Sequence, residues 1–308
     1  MKFGLLLPVE GSVTSGRPDL NLVERVSVKA EEVGFTSLWA GDRVLFTPRF
    51  EATTLLSYLA AKTAKVRLGT AVILLPLRNP VLLAHSMASL DIISHGRLVV
   101  GAGIGAQRVA KEYEVANVPF QDRAKIFEET IKLIKSLWSS NSVNFDGSHF
   151  RIKDLSLPIK PIQKPGPPLL LAGVSSKSLR RVALLGDGWI PTEIKPNDYS
   201  EYWHRIAELA LKFNRNPSDL KRAFYFTTNF DEDEDRARRE GKLFLDTYYS
   251  IDVGSIDKFG LFGTESRLVD RLQEYSNAGV DEIIVRFASF DMEKRFESFI
   301  RDILPSFS

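Results

Sequence analysis

The 308-residue sequence contains no cysteine, and this absence removes several kinds of chemistry at once. A disulfide framework, a thiolate metal site and a catalytic thiol are all excluded. Only four histidines are present, and no two of them are spaced as a His-x-x-x-His pair. A zinc hydrolase is therefore disfavoured, and we expect no bound metal.

The chain also lacks an excess of charge and any long apolar run. Its 41 basic and 39 acidic residues leave a formal net charge of +2, which gives no reason to expect nucleic acid or an anionic membrane as partner. No apolar run approaches the ~20 residues needed to cross a membrane. We expect a soluble, cytoplasmic protein of enzyme size that acts on a small-molecule substrate.

Eight short apolar runs alternate with helical patterns along the chain. Continuous apolar runs of this length are typical of the buried strands of a parallel sheet. Because no domain-sized linker separates them, they predict a single (β/α)8 TIM-barrel domain over residues 1–308, with a doubly wound open sheet as the alternative. The predicted strands cover residues 3–8, 37–43, 67–76, 98–105, 169–176, 186–191, 223–229 and 281–288.

Two segments depart from the strand–helix alternation. Between the fourth and fifth strands, residues 143–152 alternate in polarity around an Asp-Gly pair, which predicts a hairpin insertion. Five prolines between residues 158 and 168 then predict a stiff connector. Residues 248–263 are rich in glycine and serine and have no strong period, so we expect a mobile loop that covers a pocket.

The fourth predicted strand ends in glycines, at the edge where parallel α/β proteins bind ligands. Gly101, Gly103 and Ala106 match the dinucleotide pattern G-x-G-x-x-G/A only weakly, because that motif belongs in the first βα unit. We favour the interpretation that these small residues let a flat ligand or a neighbouring strand approach the backbone closely.

The fifth predicted strand leads into a helix through small residues. Ser175 or Ser176 is a suitable N-cap, and the backbone N–H groups of such a turn suit a phosphate. An ordinary capped helix explains the pattern at least as well. Arg180 and Arg181 either reinforce an anion site or coat the helix.

Two charged residues lie at predicted strand ends. Asp42, next to Arg43, could orient a cofactor ring, transfer a proton or form a structural ion pair, and the residues alone favour the ion pair. Arg286, near the end of the eighth strand, is either an anion ligand or an ion-pair member. Because no Ser-His-Asp arrangement or pair of acids stands out, we expect a cofactor to carry the chemistry.

Taken together, several segments resemble the bacterial luciferase-like flavin oxidoreductases, and within them the branch that uses the deazaflavin coenzyme F420. The resemblance runs in order along nearly the whole chain. The segments that carry it include Ser37-Leu-Trp-Ala-Gly-Asp42, Leu68-Gly-Thr-Ala-Val72, Arg78-Asn-Pro-Val-Leu-Leu-Ala84, Gly101-Ala-Gly-Ile-Gly105, Pro168-Leu-Leu-Leu-Ala-Gly-Val-Ser175 and Gly186-Asp-Gly-Trp189.

This resemblance implies a TIM barrel, often a homodimer, that holds an isoalloxazine-type ring at its C-terminal mouth. It implies that a bulge in the third strand, often with a non-prolyl cis peptide, backs the ring at Thr70, Ala71 and Val72. It also places Gly103, Gly105 and Gln107 beside the ring. The cofactor phosphate would lie on the backbone of Ala172, Gly173, Val174, Ser175 and Ser176.

The sequence departs from the family at two positions. Asp-His is common after the second strand, whereas this chain has Asp42-Arg43, which leaves Asp42 as the catalytic candidate. Gln107 replaces a common aromatic residue. The resemblance implies hydride transfer between F420 and a small organic substrate. The alternatives are an FMN-dependent monooxygenase with a partner flavin reductase, a non-catalytic flavin-binding protein and, more remotely, a sugar-phosphate enzyme.

Overall fold

The computed structural model describes residues 1–9, 16–45 and 47–307. The strands in this part of the chain are β1 (Lys2–Leu6), β2 (Ser37–Ala40), β3 (Arg67–Thr70), β4 (Ile73–Leu74), β5 (Leu98–Gly103), β6 (Val143–Asp146), β7 (Arg151–Leu155), β8 (Leu169–Leu171), β9 (Gly188–Trp189), β10 (Lys221–Phe230), β11 (Gly260–Gly263) and β12 (Glu282–Phe287).

Eight of these strands close into a parallel barrel. Neighbouring strands follow the order β1-β2-β3-β5-β8-β9-β10-β12, and the pairing of β12 with β1 completes the circle. Each of the eight predicted strands contributes to it, so the TIM-barrel prediction is confirmed and the open sheet is wrong. The third predicted strand is interrupted, because β3 ends at Thr70 and β4 begins at Ile73.

Helices surround the barrel and follow its strands. They are α1 (Leu20–Glu32), α2 (Ala52–Lys62), α3 (Pro80–Ile93), α4 (Ala110–Val115), α5 (Arg123–Ser139), α6 (Ser176–Leu185), α7 (Pro196–Lys212), α8 (Glu234–Tyr249), α9 (Glu265–Asn277) and α10 (Met292–Ser298). Polar caps start several of them: the Asn79 side chain accepts hydrogen bonds from the backbone of Val81 and Leu82 at the start of α3. No helix in the described ranges is both long and apolar enough to span a membrane.

Alternation along the strands divides the apolar residues between two layers. On β12, Ile283 and Val285 pack with the surrounding helices, whereas Ile284 packs inside the barrel with Leu6 and Trp39. Glu282 and Arg286 have the same parity as Ile284, so both side chains belong to the interior column of this strand. They lie at its opposite ends.

Glu282 closes the N-terminal end of the barrel. Its carboxylate accepts hydrogen bonds from Ser37 Oγ at 2.7 Å and from Arg67 Nη2 at 2.9 Å, and the Thr36 hydroxyl donates a third. Because these partners come from β2, β3 and the turn before β2, the acid ties three parts of the barrel floor together. This buried charge is fully engaged within the protein.

The predicted hairpin insertion is present between the fourth and fifth barrel strands. Strands β6 and β7 pair antiparallel, and Glu129 on α5 accepts backbone hydrogen bonds from Ser148, His149 and Phe150 in the hairpin turn. Burial raises the pKa of Glu129, but these N–H donors lower it by more, so its pKa lies below the ordinary value. The proline-rich connector contains a cis peptide at Lys164–Pro165.

The segment 248–263, predicted as a mobile loop, is regular structure at both ends, whereas residues 250–259 between them contain no helix or strand. Helix α8 runs to Tyr249, β11 pairs in parallel with β10, and Val253, Ile256 and Phe259 are buried. The glycine at position 260 misled the prediction. A Cβ there would lie 1.8 Å from the Thr227 carbonyl oxygen, so Gly260 allows close strand pairing rather than a loop.

Candidate functional site

The interruption between β3 and β4 forms part of the barrel's C-terminal end. The Ala71–Val72 peptide bond is cis, where the family resemblance implied such a bond. Ala71 N–H donates to the Ala40 carbonyl at 2.8 Å, and the buried Thr70 hydroxyl donates to the Gly101 carbonyl at 2.8 Å. The segment is thus held from the strands on both sides.

The glycines of β5 bring that strand against this segment. A Cβ at Gly101 would lie 2.0 Å from the Thr70 carbonyl oxygen, and a Cβ at Gly103 would lie 2.7 Å from Val72 Cγ2. The sequence interpretation of close approach is therefore confirmed for the neighbouring strand. We call Thr70, Ala71, Val72 and Gly103 the platform.

The two other predicted residues after β5 lie further out. Gly105 has φ +69°, a conformation that glycine adopts without strain. Gln107 is exposed at the start of a short 3-10 turn. The structure thus groups Gly103 with the platform and places Gln107 on the rim.

The loop from β8 to α6 lies next to the platform, since the position of a Gly103 Cβ is 3.8 Å from Ala172 Cβ. Gly173 has φ +109°, and its carbonyl accepts a hydrogen bond from Trp189 Nε1 at 2.9 Å. Ser175 is the N-cap of α6 and accepts from Ser178 N–H at 3.2 Å. The first turn of α6 contains no acid, so the positive end of its dipole is available to an anion.

The arginines of α6 do not reinforce this anion site. Arg181 pairs with Glu128 at 2.6 Å, and Arg180 lies over the ring of Phe213. Both side chains therefore lie along the outer surface of α6. Val174, Ser175 and Ser176 are exposed, which leaves the loop accessible from solvent.

Asp42 is buried and both of its oxygens are engaged. Oδ1 accepts from Arg78 Nη2 at 2.7 Å, and Oδ2 accepts from Leu74 N–H at 3.1 Å, so the carboxylate holds the chain just beyond the platform. The sequence neighbour Arg43 pairs instead with Glu112, at 2.7 Å. This geometry fits the ion-pair interpretation, and the catalytic role of Asp42 stays a prediction.

Several residues of this end of the barrel escaped the sequence analysis. Arg78 gave no signal of its own because it lies in the short segment before α3, and Glu112 gave none because it looks like an ordinary helix residue. Tyr225, Tyr248 and Tyr249 surround the guanidinium of Arg286, and only the inward parity of Tyr225 along its strand could have indicated this.

Comparisons with known proteins agree with this architecture. The family model for luciferase-like monooxygenases matches residues 1–252. An F420-dependent glucose-6-phosphate dehydrogenase of Amycolatopsis mediterranei is 27% identical over 92% of this chain and 93% of that protein. A 5,10-methylenetetrahydromethanopterin reductase of Archaeoglobus fulgidus is 23% identical over 90% of this chain and 92% of that protein.

Among solved structures, an F420-dependent secondary alcohol dehydrogenase in complex with an F420–acetone adduct superposes with a TM-score of 0.83. It is 20% identical and covers 100% of this chain and 99% of its own, so the likeness establishes the fold. Since the family model covers more than half of the sequence, the chain belongs to the luciferase-like monooxygenase family.

Proposed function

We propose that this protein is an F420-dependent oxidoreductase that transfers a hydride between the deazaflavin and a small organic substrate. The observation that carries the proposal is the position of Gly103, because an added Cβ there would lie 2.7 Å from Val72 Cγ2 of the platform and 3.8 Å from Ala172 Cβ of the β8–α6 loop. A ring on the platform and a phosphate at the start of α6 can therefore belong to one molecule. The Amycolatopsis relative, similar over nine-tenths of the chain, is named for its dependence on F420.

The residues present fit such a cofactor. Because Gly103 has no side chain, Val72 packs directly against β5, and the platform presents only the small apolar groups of Ala71 and Val72, which suits the face of a flat ring. The backbone of Ala172, Gly173, Val174, Ser175 and Ser176 would receive the phosphate. When bound, F420 supplies two-electron hydride transfer at C5 and reacts poorly with oxygen.

The protein's own residues would orient the ring and exclude water from beneath it. Leu6, Trp39 and Ile284 fill the barrel below the platform, so no solvent reaches its lower side. Asp42 fixes Leu74 and Arg78, which follow the platform in sequence, and it remains our candidate for proton handling.

The test is a fluorescence titration of the purified protein with F420 and, separately, with FMN. We expect micromolar binding of F420 and much weaker binding of FMN. We call residues 172–176 the phosphate loop. In Gly173→Ala, the alanine would have to adopt a left-handed backbone conformation, and its Cβ would lie 2.7 Å from Ser178 Oγ. This substitution should deform the phosphate loop and weaken F420 binding about tenfold. Gly34→Ala is the matched control, because Gly34 also has positive φ but lies at the end of α1, and its F420 affinity should be unchanged.

An FMN-dependent monooxygenase with a partner flavin reductase is the second candidate, and the description of the matched family favours it. Micromolar binding of FMN without binding of F420 would establish this alternative over our first choice. A protein that binds either ring without turning over any substrate would instead be a flavin-binding protein.

We also propose that the chain acts in the cytoplasm, as one domain and as a homodimer. Helix α3 exposes Leu82 and Ile93, 69% and 50% accessible, on the stripe that also carries Ser86 and Ser89. Exposed apolar side chains that share one face of a helix indicate a contact surface.

Light scattering of the wild type should give twice the chain mass of 34.6 kDa, as expected for a dimer. The double variant Leu82→Glu, Ile93→Glu should give the mass of one chain. Leu211→Glu, at an equally exposed leucine of α7, should stay dimeric, and a monomeric wild type would contradict the proposal.

A further inference from the structure

Arg286 is a buried cation with no carboxylate partner among the residues that the structure describes. It lies near the C-terminal end of β12, is only 5% exposed, and belongs to the interior column of that strand. Its Nε donates to Thr227 Oγ1 at 3.0 Å, whereas Nη1 is buried without a hydrogen-bond partner in residues 1–9, 16–45 and 47–307. Because a buried charge is costly unless it is paired, this free N–H group points to a ligand that supplies the missing acceptor.

Three tyrosine rings surround the guanidinium. The ring centroids of Tyr225, Tyr248 and Tyr249 lie 5.3, 4.8 and 5.8 Å from Cζ. Such contacts hold a cation in place without neutralising it. Burial lowers the pKa of Arg286, but the three tyrosines raise it by more, so the group stays charged.

Two acids near this part of the barrel, Glu282 and Glu240, bind other residues. Glu282, in the same interior column, is four residues away, which is ~13 Å along a strand, and it binds Ser37 and Arg67. Glu240 on α8 accepts hydrogen bonds from Asn229 and Ser289. Neither forms an ion pair with Arg286 in the part of the chain that the structure describes.

We propose that Arg286 binds an oxyanion of the substrate, either a carboxylate or a phosphate ester, at the mouth of the barrel. Tyr225, which stacks on Arg286, also packs against the interior cluster that contains Ala71 of the platform, so the bound anion would lie in the same part of the barrel as the ring. The proposal rests on the proposed function for the place of the cofactor.

The oxyanion site is separate from the phosphate loop. Arg286 is on β12 and the loop follows β8, and two barrel strands, β9 and β10, stand between them. One anion would therefore anchor the cofactor and the other the substrate. Two further arginines contact these tyrosines: Arg49 stacks on Tyr248 and Arg108 stacks on Tyr249. Their positive charge favours the approach of an anion.

The experiment measures binding of inorganic phosphate and of acetate by intrinsic fluorescence, with and without F420, at constant ionic strength. We expect the wild type to bind one of the two with saturation, which identifies the class of oxyanion. Arg286→Met should bind that anion at least about tenfold more weakly, with F420 affinity changed less than twofold. Arg222→Met is the matched control: Arg222 also stacks on an aromatic ring, that of Trp203, but pairs with Asp281 at the other end of the barrel.

Thermal unfolding checks that each variant is folded. If Arg286→Met does not fold, Arg286→Lys replaces it, with an expected loss of about tenfold because lysine lacks the planar fork. Unchanged anion binding in the folded variant, or no anion binding by the wild type, would overturn the proposal. So would a parallel loss of F420 affinity, which would make Arg286 a cofactor ligand. Failure of every protein to bind F420, with anion binding still dependent on Arg286, would refute the proposed function alone.

Discussion

Gly101→Ala should lower the free energy of unfolding by about 3 kcal/mol or more and abolish F420 binding. The new Cβ would lie 2.0 Å from the Thr70 carbonyl oxygen, which is backbone and cannot turn aside as a flexible side chain can. The same residue pair is joined by the hydrogen bond from Thr70 Oγ1 to the Gly101 carbonyl. Relief of the clash must therefore separate β3 from β5 at the platform, and urea denaturation together with F420 titration measures both effects.

The matched control for this substitution is Gly263→Ala. Gly263 also belongs to a parallel strand, but the atoms nearest to a Cβ there lie at 3.7 Å, an ordinary contact distance. We expect its stability to change by less than about 1 kcal/mol and its F420 affinity to remain that of the wild type. A Gly101→Ala protein of normal stability would mean that the two strands are not packed as closely as described.

The barrel could be predicted from the sequence because each of its strands and helices has a recognisable local sequence pattern. A buried strand is a continuous apolar run, and a helix carries its own period and cap, so eight repeats of the pattern define the architecture. The predicted ends of the strands were less accurate. The fifth predicted strand extends to residue 176, whereas β8 ends at Leu171, because small residues are compatible with both a strand and the loop that follows it.

The partners of charged side chains could not be predicted in the same way. Asp42 lies beside Arg43 in the sequence, but Arg43 pairs with Glu112, 69 positions further on, and Asp42 pairs with Arg78 from the segment before α3. Such pairs depend on how separate βα units pack together. The surroundings of Arg286 are equally a property of the assembled barrel, since its tyrosines come from β10 and from the end of α8.

The platform was predictable only through the family resemblance. Nothing in the composition of Thr70-Ala71-Val72 distinguishes these residues from the rest of an apolar strand. The glycines on β5 were a signal from the residues themselves, because small residues at a strand end imply close approach, although they do not say of what. The resemblance supplied the flavin-type ring, and its place on the platform stays a prediction.

Asp42→Asn should slow hydride transfer about 100-fold while F420 affinity changes less than twofold. Asparagine keeps the shape of the side chain and the acceptor for Leu74 N–H, but it loses the charge that pairs with Arg78. Because the Asp42 side chain is 4% and the Arg78 side chain 19% exposed, loss of this pair should also cost about 2 kcal/mol of stability. Turnover is measured by F420 fluorescence with any substrate found in a panel of alcohols, aldehydes and sugar phosphates.

Arg78→Met separates the chemical role of Asp42 from its structural one. It removes the same ion pair and should cost similar stability, and the double variant Asp42→Asn, Arg78→Met should be destabilised by clearly less than the sum of the single effects. If Asp42 handles a proton, Arg78→Met should retain most of the wild-type turnover, whereas the single and double variants that carry Asp42→Asn should both remain slow. Equally reduced turnover in the two single variants would instead mean that Asp42 supports the platform through Arg78. Normal turnover in Asp42→Asn would make the ion pair purely structural.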